Sequence, residues 1–419
     1  MTGGPRVLLL VPARTYRAAD FVSAAARMDL ELIIGSDGAL PLGGHPVIPV
    51  RAHNPDELAS ACGPVAAVVA ADTPMLVLAA AVAERMGLPH NPVDAVRNAL
   101  DKTRQRQRWA AEGVAQPRFE IVPSTAPEQA VRRAAGTVGC PCVVKAVSLS
   151  ASQGVLRADD QDAAVAAARR IRRVLATAWR PGDEPLLVEE YLPGPEVSID
   201  GLLTGGDLAV TAVFDKPRTP DGPTFEETLL VTPSALPASF RAAAIDTAGR
   251  AARALGLVSG PIHAELRIGN RGGQPRPAML ELAGRSIGGL CSRALRFPGG
   301  KTLEELILAN ALGRPTPPSA LGDGAVRPSG VFMLPVPRPG VLRAVEGRDV
   351  AEAVPGVTGL TISIPPGQRV RPLPDGDRYL GFIFAEADTR SDVENALIAA
   401  RDHLCVIIEP TGSTTVRSF

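Results

Sequence analysis

Cysteine is scarce here, with five residues in a chain of 419, odd in number and scattered. Cys140 and Cys142 flank Pro141 at the mouth of an apolar run, with no second pair and no nearby histidine, so free, buried thiols are expected rather than a metal site. An excess of charge is also missing, because 44 basic side chains balance 44 acidic ones. That balance removes the electrostatic footprint of a nucleic-acid binder. The basic runs at 104–108 and 169–173 are interrupted by apolar residues and read as solvated helix faces. No long apolar stretch follows the first six residues, so neither a signal peptide nor a spanning helix is expected, and a cytoplasmic location is. The loop Pro12-Ala13-Arg14-Thr15-Tyr16 lacks the glycines a dinucleotide pyrophosphate needs, which argues against a nicotinamide or flavin enzyme.

What is present is an ordered alternation of elements. A chain of this length exceeds one core and should divide into roughly two to four parts. Val7 to Val11 reads as a strand, 17–28 as a helix and Leu30 to Ile34 as a second strand, a βαβ opening that makes residues 1–90 a doubly wound α/β domain. Residues 91–315 are mixed α+β, beginning with a long basic helix after Asn91-Pro92. A proline-rich stretch at 314–319 ends this region. Residues 320–419 read as a small, mainly antiparallel domain with strands at 330–335, 357–364 and 379–385, a late helix and a closing strand. The fold class expected is thus α/β and α+β, multidomain.

The chemistry-bearing residues fall in the middle region. Lys102 and Lys145 could supply the fixed cations a polyphosphate needs. After Lys145 comes Ser148-Leu149-Ser150-Ala151-Ser152-Gln153-Gly154, a small-residue loop whose amides and hydroxyls could fold over phosphates, although it is no Walker loop. The run Glu189-Glu190-Tyr191-Leu192-Pro193-Gly194-Pro195-Glu196 offers backbone groups for an adenine and a carboxylate for a ribose. Further on, His263-Ala264-Glu265-Leu266-Arg267 alternates on a strand expected to break at Gly269, and Met279-Leu280-Glu281-Leu282 returns beside it. Two carboxylates on adjacent strands, embedded among apolar residues, suit magnesium, which takes oxygen ligands and keeps several waters. Ala283-Gly284-Arg285-Ser286-Ile287-Gly288-Gly289 follows, with an arginine for a transferring phosphoryl group and glycines that admit substrate near the backbone.

In this order the segments resemble the ATP-grasp superfamily and, within it, the carboxylate-amine ligases of the L-amino-acid ligase branch, over essentially the whole chain. The resemblance implies an ATP-grasp fold with a pre-ATP-grasp domain at 1–90, an ATP-grasp domain at 91–315 with a mobile lid subdomain at about 115–195, and a small C-terminal domain at 320–419. It implies that Lys102, Lys145, Ser152, Gly154, Glu189, Leu192 and Glu196 bind ATP, and that Glu265 and Glu281 hold magnesium, with manganese as an acceptable substitute. It further implies that Arg285 stabilises the transferring phosphoryl group and that His263, Arg267, Ser286, Gly288 and Gly289 face the substrates. For His263, a satisfied structural role stays equally open. Many members carry Asn two residues after the second metal glutamate. Ala283 stands there in this chain, a departure that favours the amino-acid ligase branch and leaves one metal ligand unassigned. The loop 215–228 is a candidate substrate loop, and its Glu227 a candidate to complete the metal shell.

The expected activity is attack of a carboxylate on the γ-phosphate of ATP and capture of the acyl phosphate by an amine, with amino acids as the substrate class and release of ADP and phosphate. A biotin-carboxylase-like enzyme and a nucleotide-binding module without turnover are the competing readings. No nucleic-acid or membrane partner is expected, and a homodimer rests on the resemblance alone.

Overall fold

The computed structural model describes residues 4–13, 15–38, 44–50, 54–177, 184–218, 221–314 and 327–410. The proline-rich boundary expected at 315–319 lies outside them. The chain forms two compact units, each assembled from three separate stretches. One comprises Met1–Gln116, Pro193–Asp215 and Thr232–Val326, the other Pro117–Leu192, Lys216–Val231 and Arg327–Phe419.

The first unit opens with a parallel sheet in the spatial order Val47–Pro49, Glu31–Ser36, Arg6–Val11, Ala67–Ala70. Val7 to Val11 are wholly shielded from solvent, as a strand covered on both faces requires. Its other sheet is antiparallel, in the order Gln274–Ala283, Ser259–Arg271, Glu196–Thr204, Asp207–Asp215. Helix Ala238–Leu255 packs on it through Ala244, Ala248, Ala251 and Ala252, side chains small enough for close approach. Fully buried Trp109 fills the layer beside them and donates its indole N–H to Ala251 O at 3.1 Å.

The long helix expected after Asn91-Pro92 is two helices, Val93–Leu100 and Lys102–Ala111. Asp101 takes an extended conformation, and its carboxylate accepts the amides of Thr103 and Arg104 at 2.8 and 3.1 Å. An N-cap of this kind stabilises a helix start by about 1 kcal/mol. Lys102 therefore occupies the first turn of the second helix. The strand expected to stop at Gly269 continues to Arg271, and the hairpin turns at Gly272 and Gly273, both at positive φ.

The second unit holds an antiparallel sheet ordered Phe119–Val122, Leu186–Glu190, Cys142–Ala146, Val155–Ala158. Helices Glu128–Val138 and Gln161–Thr177 cover it through their alanine and valine faces. Strands Leu229–Thr232, Ser329–Leu334, Gly381–Glu386 and Val357–Ile362 are hydrogen-bonded neighbours in that order, against helix Arg390–Asp402. Arg369–Val370, Gly340–Glu346 and Cys405–Glu409 make a three-stranded sheet. All five cysteines are free as expected, but Cys140 and Cys405 are exposed rather than buried. Among the described residues no helix is long and apolar enough to cross a membrane.

Candidate active site

In the first unit the antiparallel register sets Glu265 directly opposite Glu281. A bulge follows at once, since Leu266 pairs with Met279 and Leu280 is the extra residue. Arg106 donates to the Leu280 carbonyl at 2.6 Å. Lys102 reaches Glu281 from the capped helix, with Nζ 3.2 Å from Oε1. The lysine is nearly buried, whereas Glu265 and Glu281 keep 24% and 34% of their side chains accessible, so their oxygens remain open to a ligand. Two hard carboxylates on neighbouring strands fit magnesium, and the methyl of Ala283, paired with His263, offers it nothing.

His263 lies two residues before Glu265 on the same strand face and is held at both nitrogens. Nδ1 is 3.1 Å from Asp200 Oδ2, and Nε2 is 3.2 Å from Glu265 Oε1. Burial pushes the imidazole toward neutrality, but the two carboxylates more than offset it and raise its pKa to about 9. At neutral pH the ring is charged and donates from both sides. The other oxygen of Asp200 accepts the Ile287 amide at 2.8 Å, so one buried carboxylate joins the histidine to the glycine-bearing loop. Asp200 was not singled out by its sequence context. A charge between Ile199 and Gly201, inside the strand Glu196–Thr204, was the available signal.

Glu196 and Arg267, assigned to ATP and to substrate respectively, meet in a buried ion pair at 2.8 Å, and Arg267 also donates to Gly194 O at 3.1 Å. Arg285 donates to Thr73 Oγ1 at 2.9 Å and to Ser286 O at 2.8 Å. Ser286 Oγ in turn accepts from buried Arg17 at 2.6 Å, and Arg17 also donates to Ala71 O at 3.1 Å. Gly288 packs against the Arg285 guanidinium, and Gly289 takes φ +62°, a conformation glycine adopts without strain. Arg17 opens the stretch 17–28 read from sequence only as a helix, stands just before helix Ala18–Arg27, and lies 269 positions from Ser286.

In the second unit Lys145 Nζ lies 2.6 Å from Glu189 Oε2, with 8% and 3% of the side chains exposed. Val143 pairs with Glu189, which makes Lys145 its diagonal neighbour across the sheet. The small-residue loop after Lys145 bends through Ala151, Ser152 and Gly154, all at positive φ. Its Gly154 amide is engaged with Pro374 O at 3.1 Å. Leu192 follows the Glu189 strand. Glu227 pairs with buried Lys216, and its amide donates to Tyr379 Oη at 3.2 Å. Burial, then Glu227 and Glu226, push the Tyr379 phenol well above its usual range, so it stays protonated. Tyr191 stacks on Phe225 with ring centroids 6.5 Å apart, while Arg157 lies 4.6 Å over its ring. Neither Tyr379 nor the aromatic pair was distinguished by the sequence, since each contact links distant segments.

Two family models match the chain, the ATP-grasp domain over residues 138–294 and the L-amino acid ligase C-terminal domain 2 over residues 332–409. Alanine–anticapsin ligase of Bacillus subtilis is 28% identical over 222 residues, 49% of this chain and 45% of that protein. Carnosine synthase 1 of Gallus gallus is 32% identical over 223 residues, 51% of this chain and 23% of that protein. The chain thus spans less than half the length of these relatives. An L-amino acid ligase from Bacillus licheniformis, with 23% identity, superposes with a TM-score of 0.77 over 97% of this chain and 99% of that one, a likeness of fold.

Proposed function

Because this chain belongs to the ATP-grasp superfamily and carries the C-terminal domain of L-amino acid ligases, we propose that it is an ADP-forming ligase joining a carboxylate to an amine. The observation that carries this reading is the pairing of Glu265 and Glu281 on adjacent strands, with Lys102 against the second acid. ATP is the energy source, and amino acids are the substrate class. A cytoplasmic place goes with that supply of ATP.

Glu265 and Glu281 would hold magnesium, which when bound neutralises charge on the phosphates; Glu227 is the candidate third carboxylate. Lys102 and Lys145 place positive charge on the phosphates, Ser152 and Gly154 cover them, Glu189 and Leu192 take the adenine, and Glu196 lies toward the ribose. Arg285 neutralises the transferring phosphoryl group. His263, Arg267, Ser286, Gly288 and Gly289 orient the substrates. A carboxylate oxygen bonds to the γ-phosphorus as ADP leaves; the amine nitrogen then bonds to the acyl carbon, phosphate leaves and the amine loses a proton. The protein contributes positioning and charge rather than covalent chemistry. The small-residue loop, within a lid subdomain at about 115–195, would keep water from the acyl phosphate. Ala283, in the place of a metal-binding Asn, disfavours the carboxylase reading.

The test is to incubate the purified chain with Mg·ATP and a panel of amino acids while following ADP, AMP and phosphate separately. ADP and phosphate should rise together only when both a carboxylate and an amine are present. AMP with pyrophosphate would rule the proposal out.

A further inference from the structure

We propose that the second unit holds an anion site separate from Lys145 and Glu189, a cleft that binds a compact polyanion of the phosphate class. The cleft encloses about 410 Å³, enough for phosphate, pyrophosphate or a small phosphorylated molecule. One wall is the small-residue loop, through Ser148, Ser150 and Gln153; the other is the segment 369–378 of the C-terminal domain.

Charge accounting favours an anion. Arg369 and Arg371 are two positions apart, and both are exposed and line the cleft. Neither forms an ion pair among the described residues. The two acids of the cleft already have partners: Asp375 accepts from Arg170 at 3.3 and 2.8 Å, and Asp377 lies 3.8 Å from Arg378. Arg378 also donates to Gln368 at 2.9 Å. Glu184 accepts the Val147 and Ser148 amides at 2.9 and 3.2 Å and does not line the cleft. Two uncompensated guanidinium groups therefore line a space that is also lined by Ser150. The Ser148 oxygen is shielded from solvent and has no hydrogen-bond partner among the described residues.

Forked guanidinium donors pair bidentately with phosphate and carboxylate alike, and two forks with a hydroxyl beside them supply more donors than one flat carboxylate can use, which favours a tetrahedral oxyanion. The walls are already joined, by Gly154 N–H to Pro374 O at 3.1 Å and Gln153 Nε2 to Asp375 O at 3.2 Å. Binding would then cost little ordering. If the ligase reading holds, an anion here steadies the loop that covers the ATP phosphates; the binding itself does not depend on that reading.

The test is calorimetric titration of the full chain with inorganic pyrophosphate and with phosphate. It is done in a Lys145→Met/Glu189→Leu background, which removes two of the proposed ATP contacts, so that the arginine variants distinguish the cleft from the remaining ones. Saturable one-to-one binding should persist there, weaken at least ~10-fold on adding Arg369→Ala/Arg371→Ala, and vanish with Arg371→Glu. Circular dichroism of each variant verifies folding, which substitution of exposed arginines should leave intact. Absence of saturable binding in that background overturns the proposal. So does equal affinity after loss of both arginines, or succinate binding as tightly as pyrophosphate.

Discussion

Single residues carry the proposed chemistry, and their surroundings show which substitutions discriminate. Glu281→Gln keeps the shape of the side chain but removes the charge that faces Lys102. Turnover should fall on the order of 10²-fold or more, with magnesium dependence shifted to higher concentration; steady-state kinetics at several magnesium levels would detect it. The Lys145–Glu189 pair separates binding from stability, because both partners are buried. Lys145→Met should destabilise the protein by roughly 3 kcal/mol through the unpaired glutamate left behind. Adding Glu189→Leu should restore most of that in urea unfolding, yet leave ATP binding lost. Recovery of ATP affinity in the double variant would show that neither residue contacts the nucleotide. Glu265, Glu281 and Lys145 were legible in the sequence because each is a charge set in an apolar run, whereas Lys102 stood out only by its place after Asn91-Pro92. Asp200 and Arg17 were not, since their roles arise only when register and loop closure bring in partners 63 to 269 positions away.

At the scale of elements, periodicity located strands such as Ser329–Leu334 and Gly381–Glu386 within two residues of their observed ends. It misread the region after Asn91, because the basic and apolar residues continue helically across Asp101 while the backbone there turns extended to cap the next helix. Helix Leu303–Ala311 is closed by a capping box. Thr302 Oγ1 accepts the Glu305 amide at 3.4 Å, Glu305 accepts the Thr302 amide at 2.8 Å, and Arg27 reaches Glu305 at 3.1 Å. Burial alone would raise the Glu305 pKa, but these bonds carry it below the ordinary range. A depressed carboxylate stabilises the fold above its unfolded pKa, and that contribution is lost as pH falls through the folded value. Glu305→Gln should therefore cost about 1 kcal/mol near pH 7, with the difference from the parent shrinking as pH falls below the ordinary glutamate range and gone below the depressed folded value. A constant difference across thermal melts from pH 3 to pH 7 would contradict the assignment.

At the scale of the molecule, the order of motifs along the chain pointed to the ATP-grasp domain that a family model matches over residues 138–294, while the composition of the two units stayed hidden. Each unit takes three stretches of chain, and no local pattern records which stretches return to the same core. The central claim concerns one phosphorus–oxygen bond, formed by the substrate carboxylate and carried away with the phosphate. The most direct measurement supplies the carboxylate substrate with both oxygens as ¹⁸O and reads the released phosphate by mass spectrometry. An acyl-phosphate ligase transfers one ¹⁸O atom to phosphate for each amide formed; phosphate without label, alongside amide product, would contradict the account.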